Sequence, residues 1–376
     1  MFVCKPLRTP FDDGTTALVG ALVKRLPHTF KLTYFGDPSE PLRPQSLGHV
    51  IATSAMGHAP TLRDKLRVLA VLTQPRRARL PLHLFFTPNR SSSGVLALLK
   101  RLQPKRTMLQ SLMSSHGVAD MVQLLRPLDR VVVLSDSTRQ NLITAGMEEH
   151  RVVRIYPGVE HVARGSDSRS RQMVYAGDLD AMVVERLIAI ACAMASRNEL
   201  ADWKLIIACR PKAEHDKMLR ARLASAIEHH VRAGRVTLLG HVDDVPALLR
   251  GSALQLYVAD HVRRKVDLPL VLLEGLAHGI GLIAMDGSPL SEMFVRAREH
   301  GLEVGTLVAA NAMPGTRDTP EMPTHGELIA AICRATSSPE TLLRWGADAR
   351  TLIDCEFSIG AMIERYVELY QEVARQ

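Results

Sequence analysis

Aromatic residues are scarce in this chain, 4% of its 376 positions, and no RNA-recognition motif is present. That scarcity excludes nucleic acid as the expected partner. Cysteine is scarce too: Cys4, Cys192, Cys209, Cys333 and Cys355 are odd in number, far apart and form no CxxC pair. Neither a disulfide framework nor a zinc site follows from such spacing, and the five read as reduced core or near-core residues. No apolar run approaches the roughly 20 residues that cross a bilayer, and the opening MFVCKPLRTP lacks a signal-peptide layout. A cytoplasmic protein is therefore expected. Nor does a Ser-His-Asp or paired-carboxylate site stand out, so no protein nucleophile is expected.

What is present is ordinary globular material, 46% apolar and 23% charged, in a chain long enough for two domains. The net charge of +8 is unevenly spread. Residues 1–110 hold 17 Lys and Arg against 5 Asp and Glu, whereas residues 161–376 hold 25 against 28. A basic first half attracts polyanions, anionic lipid and phosphorylated small molecules among them.

Strand-like segments at residues 1–7, 31–35, 49–52, 82–87, 107–112, 130–134 and 151–156 alternate with helix-like ones, the signature of an α/β fold with a parallel sheet. Between the first strand and the first helix lies TPFDDGTT, where Gly14 serves either a simple turn or a close backbone approach to a ligand. Residues 61–79 form a basic amphipathic segment, with Leu62, Leu66, Leu69 and Leu72 at helical spacing and RRAR at its end. It suits an ordinary solvated helix or docking on an anionic membrane surface, which would make the protein peripheral on the inner face of a membrane. A polar linker near residue 160 precedes a second α/β series with strands at 173–176, 203–209, 235–239 and 254–258. The expected domains are 1–160 and 161–356, with a closing helix over 357–374 packing back on the first. Two such domains set a crevice between the carboxyl ends of two parallel sheets, where ligands of α/β folds bind.

The most informative stretch is KVDLPLVLLEGLAHGIGLIAMDGSPLSE, residues 265–292. Pro269 starts a short helix, Gly279 ends it, and residues 280–285 read as a buried parallel strand. The free N–H groups at the helix start, Leu270 onward, form a natural phosphate site. Glu274 is the one charge in an otherwise apolar helix, a setting in which a carboxylate usually has a partner.

Four segments carry a family resemblance: VVVLSDSTRQNLITAGMEEHRVVRIYPGVE (131–160), VTLLGHVDDVPALLRGSALQLYVA (236–259), PLVLLEGLAHGIGLIAMDGSPLSE (269–292) and FSIGAMIERYVELY (357–370). In this order they resemble the retaining, nucleotide-sugar-dependent glycosyltransferases of GT-B fold, family 4. The resemblance implies two Rossmann-like domains, an NDP-sugar donor, a sugar, glycan or lipid-linked acceptor, and no metal or other cofactor. It implies that Glu274 binds the donor ribose, that Gly14 lies beside the donor phosphates, and that the backbone at His241 and Val242 holds the base. His116 is placed to contact the sugar.

Three positions depart from the family pattern. Its first motif glutamate falls on Val266, and its diphosphate-binding Arg and Lys fall on Asp178 and Val183. Arg210 with Lys212, and Lys265 with Asp267, are the candidate replacements, the second pair as a shifted donor clamp. Asp178 and Asp180 also spell a DxD, but the surrounding chain does not resemble the metal-dependent fold that uses it. The alternative to a hexosyltransferase is a non-catalytic relative that kept the fold as a binding or scaffold subunit.

Overall fold

The structure is a computed structural model, and it describes all residues except 10, 12, 53–61, 75–79, 163–169, 262–265, 310–324 and 376. The chain divides into two compact units. One comprises Met1–Gly158, Val262–Pro269 and Ser358–Gln376, the other Val159–His261 and Leu270–Phe357.

The first unit runs β1 (Phe2–Val3), α1 (Gly14–Arg25), β2 (Leu32–Gly36), β3 (Gly48–Ala52), α2 (Leu62–Leu72), β4 (Leu82–Leu84), α3 (Arg90–Leu102), β5 (Met108–Leu112), α4 (Val122–Leu125), β6 (Arg130–Val133), α5 (Asp136–Thr144) and β7 (Val152–Arg154). Five strands form a parallel sheet in the order β1-β4-β5-β6-β7, and β2 pairs with β3 separately, joined to the first strand's end by a bridge between Leu7 and Gly36. Both sheet faces are covered, so the strands read as near-continuous apolar runs. Leu82, Leu84, Met108, Val131 and Val133 pack towards α2, α3 and α5, while Leu109, Val132 and Leu134 pack with residues of α1.

The second unit runs β8 (Gln172–Ala176), α6 (Ala181–Ser196), β9 (Lys204–Ala208), α7 (Glu214–Ala226), α8 (Glu228–Arg232), β10 (Val236–Leu239), α9 (Val245–Arg250), β11 (Leu254–Tyr257), α10 (Leu270–Ala277), β12 (Gly281–Met285), α11 (Ser291–Glu299), β13 (Gly305–Val308), α12 (His325–Thr336) and α13 (Pro339–Glu356). Its six strands lie parallel in the order β10-β9-β8-β11-β12-β13. The chain then returns as α14 (Ile359–Arg375) to the first unit, where Met362, Tyr366, Leu369 and Val373 join the cluster on the α1 side of the sheet. Tyr370 hydrogen-bonds His83 Nδ1 at 2.8 Å, and His83 Nε2 meets Ser111 Oγ at 2.8 Å. Burial holds the His83 pKa well below the usual histidine value, so the ring is neutral there.

The α/β class with two parallel sheets agrees with the expectation from sequence. Three local readings need correction. The sequence suggests one helix near residues 214–233, between the strands at 203–209 and 235–239, but it breaks at Ile227, whose side chain is fully buried, giving α7 and α8. β13 was not foreseen, because it begins at Gly305, a left-handed residue whose α-carbon packs against the Leu282 backbone. Of the five cysteines only Cys209 is buried, and Cys192 and Cys355 are exposed. Among the described residues no helix is long and apolar enough to cross a membrane.

α10 is held by close backbone approach. A Cβ on Gly275 would stand 2.3 Å from Gln255 Oε1. Gln255, buried in β11, donates to the Leu272 carbonyl at 3.1 Å. Alanine would gain about 1 kcal/mol in helix propensity, but overpacking of this kind costs about 1–3 kcal/mol. Gly275→Ala is expected to destabilise the protein by up to about 2 kcal/mol in urea denaturation, and a raised midpoint would refute this packing account.

Candidate active site

In the second unit every strand runs the same way, so the loops after β8, β9, β10, β11 and β12 leave one edge of one sheet. Asp180 caps α6 by accepting from the Val183 amide at 2.9 Å, and Val183 itself is fully buried. Asp178 lies two residues earlier, and Lys212, from the loop after β9, reaches it at 3.2 Å. His261 Nε2, after β11, stands 3.2 Å from the second carboxylate of the DxD, Asp180. Arg186 pairs with Asp260 at 3.1 Å and donates to the Val258 carbonyl at 2.7 Å. Asp178 and Asp260 are therefore each paired with a base that the fold brings from another loop or helix.

Lys212 thus stands where the sequence reading put a replacement cation, but opposite the very residue that removed the original one. Arg210, half-buried, follows β9 in the same loop. The His241 side chain is exposed, 3.3 Å from Asp243, and Val242 beside it is half-buried at the end of the edge strand β10.

α10 forms because LVLLEGLA offers leucines to the core at Leu272, Leu273 and Leu276, and Pro269 precedes it without needing an N–H partner. It stops at Gly279, which has φ +72° and whose amide donates to the Leu276 carbonyl at 2.7 Å. Leu270 is its first residue, so the unpaired N–H groups begin where the sequence placed them. Glu274 sits in the middle of this short helix, flanked by buried Leu273 and Gly275. Among the described residues no hydrogen bond or ion pair to its carboxylate is found, and burial pushes its pKa from the usual 4.5 up to about 7. A desolvated carboxylate of this kind is a strong acceptor for ligand hydroxyls.

The remaining sequence candidates lie in the first unit. Gly14 opens α1, whose N-cap Asp13 accepts from the Thr16 amide at 2.8 Å and pairs with Lys5 at 2.7 Å. His116 is exposed on a turn that ends at Gly117, with φ +65°. Lys265 lies outside the described residues. Asp267 requires a correction: it is fully buried, not facing a donor. Its carboxylate accepts from the Ser115 amide at 2.6 Å, Ser135 Oγ at 2.6 Å and Thr138 Oγ1 at 2.5 Å, while its own amide donates to the Met113 carbonyl at 2.9 Å. Burial raises its pKa and the three donors oppose that shift. Neighbouring Val266 packs with the apolar cluster of the first unit, which accounts for an apolar side chain where a glutamate was expected. Asp267 therefore anchors the turn that carries His116 and the start of α5. The sequence offers Ser135 or Asp136 as the N-cap of α5 but gives no signal for the bond from Ser135 to a residue 132 positions away.

Residues 170–315 match the family model described as glycosyl transferases group 1. Over that stretch the chain is similar to the group 1 glycosyltransferases. The coarse activity of that class is transfer of a sugar from a nucleotide-sugar, as the resemblance implied. No curated protein matches the chain by sequence. Three solved structures share its fold over nearly the whole length. HepE of Anabaena, solved in complex with UDP-glucose, is 15% identical, covers 99% of this chain and 98% of its own, and has a TM-score of 0.69. Sucrose-phosphate synthase of Thermosynechococcus elongatus is 17% identical with the same coverages and a TM-score of 0.69. WaaG, a glycosyltransferase involved in lipopolysaccharide biosynthesis, is 13% identical, covers 98% of each chain and has a TM-score of 0.65. The GT-B architecture expected from the sequence is the fold that this chain shares with them.

Proposed function

We propose that the protein is a retaining hexosyltransferase that takes its sugar from a nucleoside diphosphate sugar, held chiefly by the second unit. Glu274 carries the reading. A half-buried, largely desolvated carboxylate without a partner among the described residues, on a helix whose free N–H groups begin at Leu270, suits a ribose diol with a diphosphate beside it. The backbone at His241 and Val242 holds the base. Arg210 and Lys212, with Lys265, supply the positive charge that a departing diphosphate requires. The family resemblance adds Gly14, at the start of α1, and His116 as donor contacts, and Asp267 acts as a positioning residue. No metal takes part, and the leaving diphosphate helps to deprotonate the acceptor on the same face of the sugar. The acceptor is a lipid-linked sugar, a glycan or a small molecule, and the basic first unit adds an anionic membrane surface as a partner through residues 61–79.

A scaffold role is the rival. Asp178 and the buried Val183 favour it, since both replace the cations of the family pattern. Thermal shift separates the two. A screen with UDP, GDP, ADP and dTDP and their sugars, beginning with the UDP-glucose that HepE holds, is expected to find one nucleotide that stabilises by about 2.7 kcal/mol at 100 times its Kd. No shift with any nucleotide would favour the scaffold.

A further inference from the structure

α3 turns apolar residues outward. Leu96 and Leu99 face the core, yet Val95, Leu98 and Leu102, spaced three and four apart on the adjoining face, are 38%, 55% and 65% exposed. Leu66 on α2 is 58% exposed and Leu80 39%. Five of the nine exposed large apolar side chains among the described residues thus fall between positions 66 and 102. Arg106 draws their supports together: its guanidinium donates to the Leu72 carbonyl at 2.7 Å, to Gln103 Oε1 at 2.9 Å and to the Leu80 carbonyl at 3.1 Å. The end of α2, Leu80 and the end of α3 are therefore neighbours.

This stretch of chain is predominantly basic, although Lys100 is paired with Asp129 at 2.8 Å and Arg106 is buried. Residues 61–106 contain eleven Lys and Arg and a single acid, Asp64. On α3 and just beyond it, Arg90, Arg101 and Lys105 are exposed. Apolar side chains flanked by bases, with acids nearly absent, complement a surface that is apolar within and negative at its rim. An anionic bilayer has that profile: leucines enter the boundary of the acyl chains and the bases meet the headgroups.

We propose that the outer face of α3, with Leu66 and Leu80 beside it, rests on an anionic lipid surface, and that this face rather than the 61–79 segment alone makes the apolar contact. The proposal is independent of the donor site, because lipid binding is read without sugar transfer. The test is co-sedimentation of the full chain with vesicles of phosphatidylglycerol and phosphatidylcholine, against phosphatidylcholine alone, at low and high salt. The wild type is expected to bind the anionic vesicles, to ignore the neutral ones, and to weaken as salt rises.

The paired substitution Leu98→Glu with Leu102→Glu is expected to reduce binding at least about tenfold, while Leu343→Glu, at another exposed leucine in the second unit, leaves it unchanged. Both Leu98 and Leu102 are exposed, so the fold tolerates the change, and an unaltered thermal midpoint checks this. Retention of vesicle binding by the double variant, equal binding to neutral vesicles, or no binding by the wild type would each overturn the proposal. So would a dimer in solution that the double variant dissolves while vesicles remain unbound, because a second copy of the chain would then be the occupant.

Discussion

Replacing Glu274 by Gln is expected to cut the thermal shift produced by the donor nucleotide by about half or more and, at the same time, to make the free protein more stable at pH 8. The two effects have one cause. Burial holds the carboxyl near pH 7 in the folded chain, against 4.5 when solvated. The folded state therefore binds more protons than the unfolded state between those values, and stability falls as pH rises from 4.5 towards 7 and stays reduced above it. The gap between 4.5 and about 7 sets an upper value of about 3 kcal/mol, at roughly 1.4 kcal/mol for each pH unit. Glutamine keeps the shape and removes the charge, so most of that penalty disappears. It also halves the number of acceptor oxygens, and the loss of a charged acceptor to a ribose hydroxyl is expected to weaken nucleotide binding at least about tenfold. In the wild type, nucleotide affinity should rise with pH through about 7 as the carboxylate forms. Calorimetric titration of Glu274→Gln at pH 6 and pH 8 decides the matter: affinity equal to wild type at both values would remove Glu274 from the donor site.

Asp267→Ala is expected to be the most damaging single substitution in the first unit. Three donors converge on this carboxylate: the Ser115 amide and the hydroxyls of Ser135 and Thr138. Bonds to a charged acceptor contribute about 1.5–3 kcal/mol each, and the desolvation of the carboxylate offsets part of the sum, leaving a net loss of about 2–4 kcal/mol. Asp267→Asn retains one acceptor oxygen and should lose about half as much. Because Ser115 precedes His116, the alanine variant should also lower turnover more than its loss of stability explains, while the Kd for the nucleotide changes little. Urea denaturation and steady-state kinetics on both variants provide the check, and an alanine variant within about 0.5 kcal/mol of wild type would show that the three bonds contribute nothing net.

The sequence carried much of the architecture because parallel strands buried on both faces leave strong apolar runs, as in VVVL at 131–134 and ILLIA-like runs such as LIIA at 205–208. α10 was legible for local reasons: Pro269 at its start, Gly279 at its end and a single charge between. What could not be read was long-range pairing. Asp267 looked like a free acid beside a basic residue, and only the fold reveals Ser135 and Thr138 bonded to it from 132 and 129 positions away. Lys212 was legible as a base after a strand, but its ion pair with Asp178 spans 34 positions. Val266 appeared as a lost glutamate until its apolar neighbours were known. α3 escaped notice as a surface because its leucines match a core helix in composition, and only exposure distinguishes Leu98 and Leu102 from Leu96 and Leu99.

The return of α14 to the first unit has a consequence for how the chain can be divided. A fragment ending at residue 158 would lack Met362, Tyr366, Leu369 and Tyr370, which close one face of its sheet, and would leave His83 and Ser135 without Tyr370 and Asp267. Such a fragment would be an incomplete module, prone to aggregate through the face it cannot cover. During synthesis, the half of the protein made first is finished only once α14 has emerged from the ribosome.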